Sequence, residues 1–167
     1  ETLEIFRPLF EKEEILKVAH NLKFDYKVLK RYGIEVQGAI FDTMIAHYLL
    51  NPDGRHGMDY LSEIYLNYKP VSIETLIGKG KKQGTLRSVS IEEQTNYAAE
   101  DADITWQLYE LFAPQLQKEN LQDLFYKVEM PLMKVLAKME LQGVSLDKKW
   151  LEQESKDLED DLRQLEL

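Results

Sequence analysis

The chain has 167 residues, of which 44% are hydrophobic and 31% are charged, as is typical of an ordinary soluble globular protein with one domain, or one domain and an appendage. It contains no cysteine, which excludes disulfides and thiolate metal sites and fits a cytoplasmic protein, and it offers neither a secretory signal nor an apolar run long enough for a membrane-spanning helix. The net charge of −9 disfavours a protein that coats nucleic acid, but it is compatible with an enzyme that holds cations on carboxylates and grips a short strand end.

The first half of the chain predicts two strands set among helices. In chain order we expect a helix from Leu3 that kinks or restarts at Pro8, a buried strand over 15–19, a helix over 22–32 that ends at Gly33, and a second strand over 34–41. Asp42 and Thr43 supply side-chain oxygens that favour the start of a third helix, which ends before the turn at 51–54. This order is typical of an α/β fold.

The second half is predicted to be helical around one basic loop. The segment 77–90 contains three glycines and four cations, and we interpret it as exposed. The helices around it are expected over 57–66, over 91–119 with a kink near Pro114, from Pro131 to Gly143, and from Lys148 onward with leucines seven apart. Composition shifts after about residue 127, so we predict a first domain over 1–127 and an appended segment over 128–167.

The two ends of the sequence indicate a piece of a longer protein. The chain opens at Glu1 without an initiator methionine and closes at Leu167 in a helical pattern that lacks a stop signal. Two strands alone do not make a stable sheet in a domain of this size. We therefore expect further strands to precede Glu1, and we expect the faces that they would cover to favour self-association.

Two pairs of polar residues suit the hydrolysis of a phosphodiester bond. Two metal ions about 4 Å apart neutralise the phosphate, activate a water and stabilise the leaving oxygen, and carboxylates from several elements hold them. Asn21 and Asp25 lie four residues apart at the start of a predicted helix, and Tyr97 and Asp101 lie four apart on the long helix. Each pair is expected to present one oxygen-rich face to a common cleft.

Each pair also has a purely structural interpretation. Asn21 would cap its helix, and Asp25 would be a solvated acid in the first turn, where the helix dipole favours negative charge. Tyr97 would be a half-buried aromatic residue of the core, and Asp101 would be a surface charge. Taken singly, each short match favours this structural interpretation.

The combination and order of the motifs resemble a known family. Asn-Leu-Lys-Phe-Asp at 21–25 and Tyr-Ala-Ala-Glu-Asp-Ala-Asp at 97–103 resemble the second and third exonuclease motifs of the DnaQ-like, tyrosine-type proofreading nucleases. The segments that make the resemblance specific to bacterial family A polymerases (DNA polymerase I) are Phe-Asp-Thr-Met at 41–44, Gly-Arg-His-Gly-Met-Asp-Tyr-Leu at 54–61 and Gly-Lys-Gly-Lys-Lys-Gln at 78–83. Glu-Met-Pro-Leu at 129–132 and Met-Glu-Leu-Gln-Gly-Val at 139–144 resemble the start of that family's polymerase region.

The resemblance implies a fold and roles for the matching positions. The fold would be an incomplete ribonuclease-H-like (DnaQ-like) exonuclease of the α/β class, mostly helical, which lacks its first strands and carries additional C-terminal helices. Asp25 and Asp101 would bind two divalent metal ions, Mg²⁺ or Mn²⁺, and Tyr97 would orient the attacking water. The residues expected near the 3′-terminal nucleotides are His20, Asn21, Lys23, Phe24 and Arg55.

The basic loop is a separate candidate for contact with nucleic acid. Its four cations are Lys79, Lys81, Lys82 and Arg87. Grooves for single strands combine such charge with stacking surfaces. A solvated loop without a partner is an equally good interpretation.

One motif of the resembled family is absent. Its first motif, an Asp-x-Glu on the first strand, supplies two of the four catalytic carboxylates, and no Asp-x-Glu precedes Asn21 in this chain. We therefore expect weak or absent metal binding and no nuclease activity from this chain alone. The longer parent would synthesise DNA and proofread single-stranded 3′ ends in the nucleoid-associated cytoplasm, with the remainder of the polymerase as the partner of this segment.

Two further functions are compatible with parts of the sequence. The domain would be a vestigial exonuclease that serves as a scaffold for the polymerase, although Asp25, Tyr97 and Asp101 are all present. A purely helical interaction module would explain the acidic C-terminal segment but not the ordered motifs.

Overall fold

The computed structural model describes residues 2–80 and 83–166. In these ranges the elements are α1 (Thr2–Glu11), β1 (Lys17–Ala19), α2 (Leu22–Arg31), β2 (Ile40–Asp42), α3 (Thr43–Leu50), α4 (Met58–Leu61), α5 (Ile73–Ile77), α6 (Ile91–Lys118), α7 (Gln122–Leu124), α8 (Met130–Gln142) and α9 (Lys148–Leu165). A π-helical segment (Ser62–Leu66) extends α4, another (Phe125–Glu129) joins α7 to α8, and a 3₁₀ turn lies at Leu86–Ser88. The expected α/β fold with mostly helical content is confirmed.

The two strands form a parallel pair, and α2 is the connection between them. Their register places Lys17 opposite Ile40 and Ala19 opposite Asp42. The carboxyl ends of parallel strands meet at one edge of a sheet. The residues that follow β1 and the residues that follow β2 are therefore neighbours in space, and this edge carries the start of both α2 and α3.

The second strand is shorter than the pattern over 34–41 predicts. Only Ile40–Asp42 is paired, although Ile34 and Val36 are buried. Gly38 breaks the extended backbone with a φ of 74°, at a position where a Cβ would collide with neighbouring backbone. An irregular buried segment thus shows the same apolar pattern as a strand.

The hydrophobic core is centred on Phe41 in β2. The ring of Phe41 is fully buried, and its centroid lies 4.8 Å from that of Tyr109 and 4.7 Å from that of Phe125. Leu108 and Phe112 of α6 are fully buried in the same cluster. Full burial of each such side chain contributes about 1.5–3 kcal/mol, so this cluster fixes α6 against the strands.

Two helices run through a proline. Helix α1 continues through Pro8 instead of restarting there, and α6 continues through Pro114. Helix α6 begins with a capping box, in which Ser90 accepts from the N–H of Glu93 and the Glu93 side chain accepts from the N–H of Ser90. Along α6, Thr105, Leu108 and Phe112 are buried, whereas Ala98 nearer its start is exposed.

The C-terminal helices differ in how they contact the rest of the chain. Helix α8 packs against α2, and its Met130, Met133 and Ala137 belong to the same core as Phe41. The predicted boundary at 127 and 128 falls inside the continuous helical run from α7 to α8, and the division into domains 1–127 and 128–167 stays a prediction.

Helix α9 has the predicted start and the predicted leucine spacing. Asp147 caps it, and Leu151, Leu158 and Leu165 are exposed, as are its other described side chains. Across residues 2–80 and 83–166, no helix has both the length and the apolar character needed to cross a membrane.

The buried carboxylate of Asp42 caps two helices at once. Its Oδ1 accepts hydrogen bonds from the backbone N–H groups of Met44 (2.9 Å) and Ile45 (3.4 Å) at the start of α3. It also accepts from the N–H of Asn21 (3.1 Å) through Oδ1 and from that of Leu22 (2.7 Å) through Oδ2, at the start of α2. One side chain therefore positions the first turns of both helices, and only its role at α3 was predicted.

We predict that Asp42→Ala lowers the free energy of unfolding by about 2–4 kcal/mol, because each lost helix cap costs about 0.5–2 kcal/mol and buried donors lose their acceptor. Chemical denaturation measures the change. The matched control is Asp147→Ala, which removes the cap of the exposed helix α9. Asp147 accepts a single hydrogen bond there, from the N–H of Trp150 at 3.1 Å. The control should cost less than about 1 kcal/mol, and equal losses in the two variants would contradict the double role of Asp42.

Candidate active site

A cleft of about 360 Å³ brings together residues from β1, α2 and α6. We call it the carboxylate cleft, and the residues that matter for its chemistry are His20, Asp25, Met58, Asp101, Thr105 and Trp106. Asp25 comes from the first turn of α2, and Asp101 comes from the middle of α6. The two carboxylates that the sequence motifs single out thus face the same space.

The carboxylate cleft concentrates negative charge in a partly desolvated place. Desolvation raises the pKa of Asp25, and the nearby charge of Asp42 raises it further. Desolvation also raises the pKa of Asp101, with Glu100 and Asp59 acting in the same direction and a hydrogen bond from Tyr97 acting against them. A bound cation would relieve this repulsion, because opposite charge favours the ionised carboxylates.

Tyr97 lies one helical turn before Asp101, near enough for each side chain to shift the pKa of the other. It lines a neighbouring cleft with Val71 and Glu100, and not the carboxylate cleft itself. Burial, together with the charge of Asp101, raises the pKa of Tyr97 to about 12, so the phenol stays protonated at neutral pH. Glu100 accepts hydrogen bonds from the Tyr68 hydroxyl (2.5 Å) and from the N–H of Val71 (2.9 Å). These bonds hold the segment from Tyr68 to Val71 against α6, and Val71 lines a cleft together with Tyr97 and Glu100. The sequence spacing of Glu100 did not reveal this role.

His20 contributes a neutral imidazole to the cleft. Its Nδ1 lies 2.8 Å from Oγ1 of Thr43, and burial lowers its pKa to about 4. Its Nε2 is buried and has no hydrogen-bond partner among the described residues. The ring therefore adds no charge near Asp25 and Asp101 at neutral pH.

Asn21 and Lys23 lie on a different side of α2 from Asp25. Asn21 has a left-handed backbone (φ 64°, ψ 48°) and precedes the helix, so the expectation that Asn21 and Asp25 share one helical face is wrong. Asn21 and Lys23 line a second cleft of about 230 Å³ between α2 and α8, with Leu132 and Leu136 on its far wall. We call it the α2–α8 cleft. Three of the predicted DNA-contacting residues are thus divided between two clefts, His20 in the carboxylate cleft and Asn21 and Lys23 in the α2–α8 cleft.

The remaining predicted contacts that the structure describes are exposed. Phe24 is 59% exposed on α2, and Arg55 is exposed in the turn before α4. In the basic loop, Lys79 forms an ion pair with Glu74, and Arg87 is exposed in the 3₁₀ turn. Lys81 and Lys82 lie outside the described residues. The roles of all these residues in DNA binding stay predictions.

A buried histidine pair supports the fold next to the cleft. His47, which is 1% exposed, has its Nδ1 2.7 Å from Nδ1 of His56 and its Nε2 3.1 Å from the hydroxyl of Tyr65. Desolvation lowers the pKa of His47, so this ring is also kept neutral. No regular spacing links these three residues, and only the fold brings them together.

The carboxylate cleft fits a divalent cation in part. Carboxylates joined by water and substrate oxygens are the ligands that Mg²⁺ prefers, and Asp25 and Asp101 supply two of them. Within the described residues, no three His, Asp or Glu side chains lie close enough together to hold a metal ion. The chain therefore offers an open two-carboxylate site and not a complete metal cage.

We predict that Asp25→Asn raises the free energy of unfolding at pH 7, because it removes a charge that the folded state disfavours. The folded pKa of Asp25 is raised above 3.8, so this stabilisation should appear as pH rises above about 4 and should vanish below it. The gain should stay below about 1 kcal/mol, since solvent reaches much of this side chain. Urea denaturation at pH 7 and at pH 3.5 measures it, with Asp161→Asn on α9 as the control. A loss of stability in Asp25→Asn at pH 7 would contradict a raised pKa of Asp25 in the folded state.

Comparisons with known proteins agree with this geometry. A family model described as 3′–5′ exonuclease matches residues 1–117. DNA polymerase I of Rhizobium leguminosarum is 41% identical over 167 residues, 99% of this chain and 16% of that protein. DNA polymerase I of Chloroflexus aurantiacus is 44% identical over 154 residues, 90% of this chain and 16% of that protein. The chain thus spans about one sixth of the curated relatives that it matches.

Two solved structures share the fold. The POL domain of Pol1 from M. smegmatis, in complex with DNA primer-template and dNTP, superposes with a TM-score of 0.71 at 22% identity, over 97% of this chain and 25% of that one. NrnC of Brucella melitensis bound to pGG superposes with a TM-score of 0.64 at 19% identity, over 81% of this chain and 63% of that one. Fold, ordered motifs and sequence identity agree: the chain belongs to the 3′–5′ exonuclease family of bacterial DNA polymerase I.

Proposed function

We propose that the carboxylate cleft is the part of a proofreading site that this chain contributes to a longer DNA polymerase I. In that polymerase the site would remove nucleotides from a single-stranded 3′ end by hydrolysis, with two divalent metal ions. The observation that carries the proposal is that Asp25 of α2 and Asp101 of α6, which are distant in sequence, line one cleft. The raised pKa values of both carboxyls add support, since perturbed acids in a cleft are typical of functional sites.

Each side chain in or beside the cleft has a defined task in this proposal. Asp25 and Asp101 would hold the metal ions, which supply charge neutralisation and an activated water when bound. The protonated hydroxyl of Tyr97, one turn before Asp101 on α6, would orient the attacking water by a hydrogen bond. Neutral His20 would lie beside the terminal nucleotide, and because it is uncharged it would not compete with the metal ions for the carboxylates.

This chain alone would not be a competent nuclease. Two metal ions need more carboxylates than Asp25 and Asp101 provide, and the sequence has no Asp-x-Glu ahead of Asn21. The other ligands would come from the remainder of the polymerase, which is also the partner against which this domain packs. The basic loop, with Lys79 and Arg87, would add phosphate contacts to the same strand.

A structural role as a scaffold for the polymerase is the second candidate. The close packing of α8 on α2 favours it, because it joins the exonuclease motifs and the segment that resembles the polymerase region in one core. The scaffold role alone does not explain why Asp25, Tyr97 and Asp101 are all present around one part of α6. The two candidates differ in whether the cleft performs hydrolysis.

We predict that Asp101→Ala in the complete polymerase abolishes the release of a labelled 3′ nucleotide from single-stranded DNA. Asp101→Ala removes a metal ligand. Tyr97→Phe removes only one water-orienting hydroxyl, which should cost about 2–4 kcal/mol of transition-state stabilisation, or roughly one to three orders of magnitude in rate. Both variants should extend a primed template at nearly the normal rate.

The matched control is Asp103→Ala, which removes an acid two residues farther along α6 that does not line the cleft. Normal hydrolysis by Asp101→Ala would show that the cleft is wrongly assigned. If the unmodified polymerase releases no nucleotide, the scaffold role is correct instead.

A further inference from the structure

Two lysines of α2 form ion pairs with one glutamate of α8 at the surface. Lys23 and Lys27 lie one turn apart on α2, and their ammonium groups converge on one carboxylate, that of Glu140 on α8. The Nζ of Lys23 lies 2.6 Å from Oε1, and the Nζ of Lys27 lies 2.5 Å from Oε2. Two cations thus hold the two oxygens of a single anion, and a phosphate diester presents two anionic oxygens in the same way.

The ion pair joins the two parts of the chain that the motifs distinguish. Lys23 belongs to the exonuclease motif at 21–25, whereas Glu140 belongs to the segment at 139–144 that resembles the start of the polymerase region. The side chains of Lys23, Lys27 and Glu140 are 34%, 26% and 41% exposed, so the pair lies at the surface, where a competing anion has access. Surface ion pairs are weak, and exchange for another anion is therefore easy.

The position of the pair suits a strand whose end lies in the carboxylate cleft. Asp25 and Lys23 are on the same turn of α2 but line different clefts, so about one helix width separates the two places. A helix with its side chains is about 10–12 Å across, a distance that a few nucleotides of an extended strand span. Lys23 and Lys27 are the cations that such a strand meets when it passes α2 toward α8.

We propose that Lys23 and Lys27 form a phosphate site for single-stranded DNA a few nucleotides from its 3′ end, and that Glu140 occupies this site while the strand is absent. The proposal rests on the proposed function, because it extends the path of the same strand. Strand binding then requires that Glu140 is displaced. The Glu140 carboxylate competes with the phosphate of the strand for Lys23 and Lys27. Because Glu140 belongs to α8, binding of the strand would also release this contact between α8 and α2.

Fluorescence anisotropy with a labelled single-stranded oligothymidylate tests the proposal on the 167-residue chain. Glu140→Gln should bind the strand roughly three- to tenfold more tightly than the unmodified chain at low salt, because the competing anion is gone. The slope of log K against log salt should steepen by about 0.7 for each phosphate gained. Glu159→Gln on α9 makes the same change in net charge at an exposed position and should bind like the unmodified chain.

Three further arms make the result decisive. Lys23→Gln with Lys27→Gln should cancel the gain from Glu140→Gln, and sodium phosphate should displace the strand no better than sodium chloride at equal ionic strength. Displacement by phosphate would identify a free-phosphate site and overturn the assignment to a strand. Glu140→Asp, which keeps the charge, should bind like the unmodified chain and guards against a folding defect in Glu140→Gln.

The proposal is overturned if Glu140→Gln binds no more tightly than Glu159→Gln, or if neither binds at low salt. Its failure is distinguishable from failure of the proposed function, because hydrolysis by the complete polymerase tests Asp101 without reference to Glu140.

Discussion

The double cap formed by Asp42 is the interaction on which the geometry of the site depends. The parallel register places Asp42 opposite Ala19, so one carboxylate reaches the N–H groups at the start of α2 as well as those of α3. The orientation of α2 follows from this contact, and with it the directions of Asp25 toward one cleft and Lys23 toward the other. Burial raises the pKa of Asp42 although four backbone donors act in the opposite direction, so the fold retains an expensive charge to hold this junction.

The charge distribution is compatible with the proposed nucleic-acid site in an acidic protein. Asp25 and Asp101 are held where desolvation disfavours their charge, which is an arrangement that costs stability and suits cation binding. Three of the four cations of α2 instead form ion pairs within the chain, Lys23 and Lys27 with Glu140 and Lys30 with Glu35. Net charge therefore says little about binding here, since the relevant charges are local and partly exchangeable.

Local patterns predicted most of the secondary structure. Helix α3 begins at the predicted cap Asp42, α9 begins at the predicted residue and α8 ends at Gly143, because these signals are local. Asn21 precedes α2, but its side chain makes no cap hydrogen bond there. The second strand was predicted too long, since the buried irregular segment before Gly38 has the same apolar pattern as a strand.

What the sequence does not reveal are the contacts between distant segments. Helical spacing predicted that Asn21 and Asp25 share a face, but the left-handed backbone of Asn21 separates them. The second role of Asp42, the tether from Glu100 to the segment at Tyr68 and the pairing of Glu140 with α2 depend on tertiary packing. Such pairs have no fixed sequence separation, so they leave no periodic signal.

The most direct test of the central claim, that Asp25 and Asp101 share one cation site, is a titration of the 167-residue chain with Mn²⁺, followed by electron paramagnetic resonance. Two carboxylates and no third protein ligand should give a weak site, with a dissociation constant on the order of 10⁻³ M. Asp25→Asn and Asp101→Asn should each abolish this site, whereas Asp161→Asn on α9 should leave it unchanged. Binding that survives the loss of either cleft carboxylate, or two sites of micromolar affinity, would contradict the account.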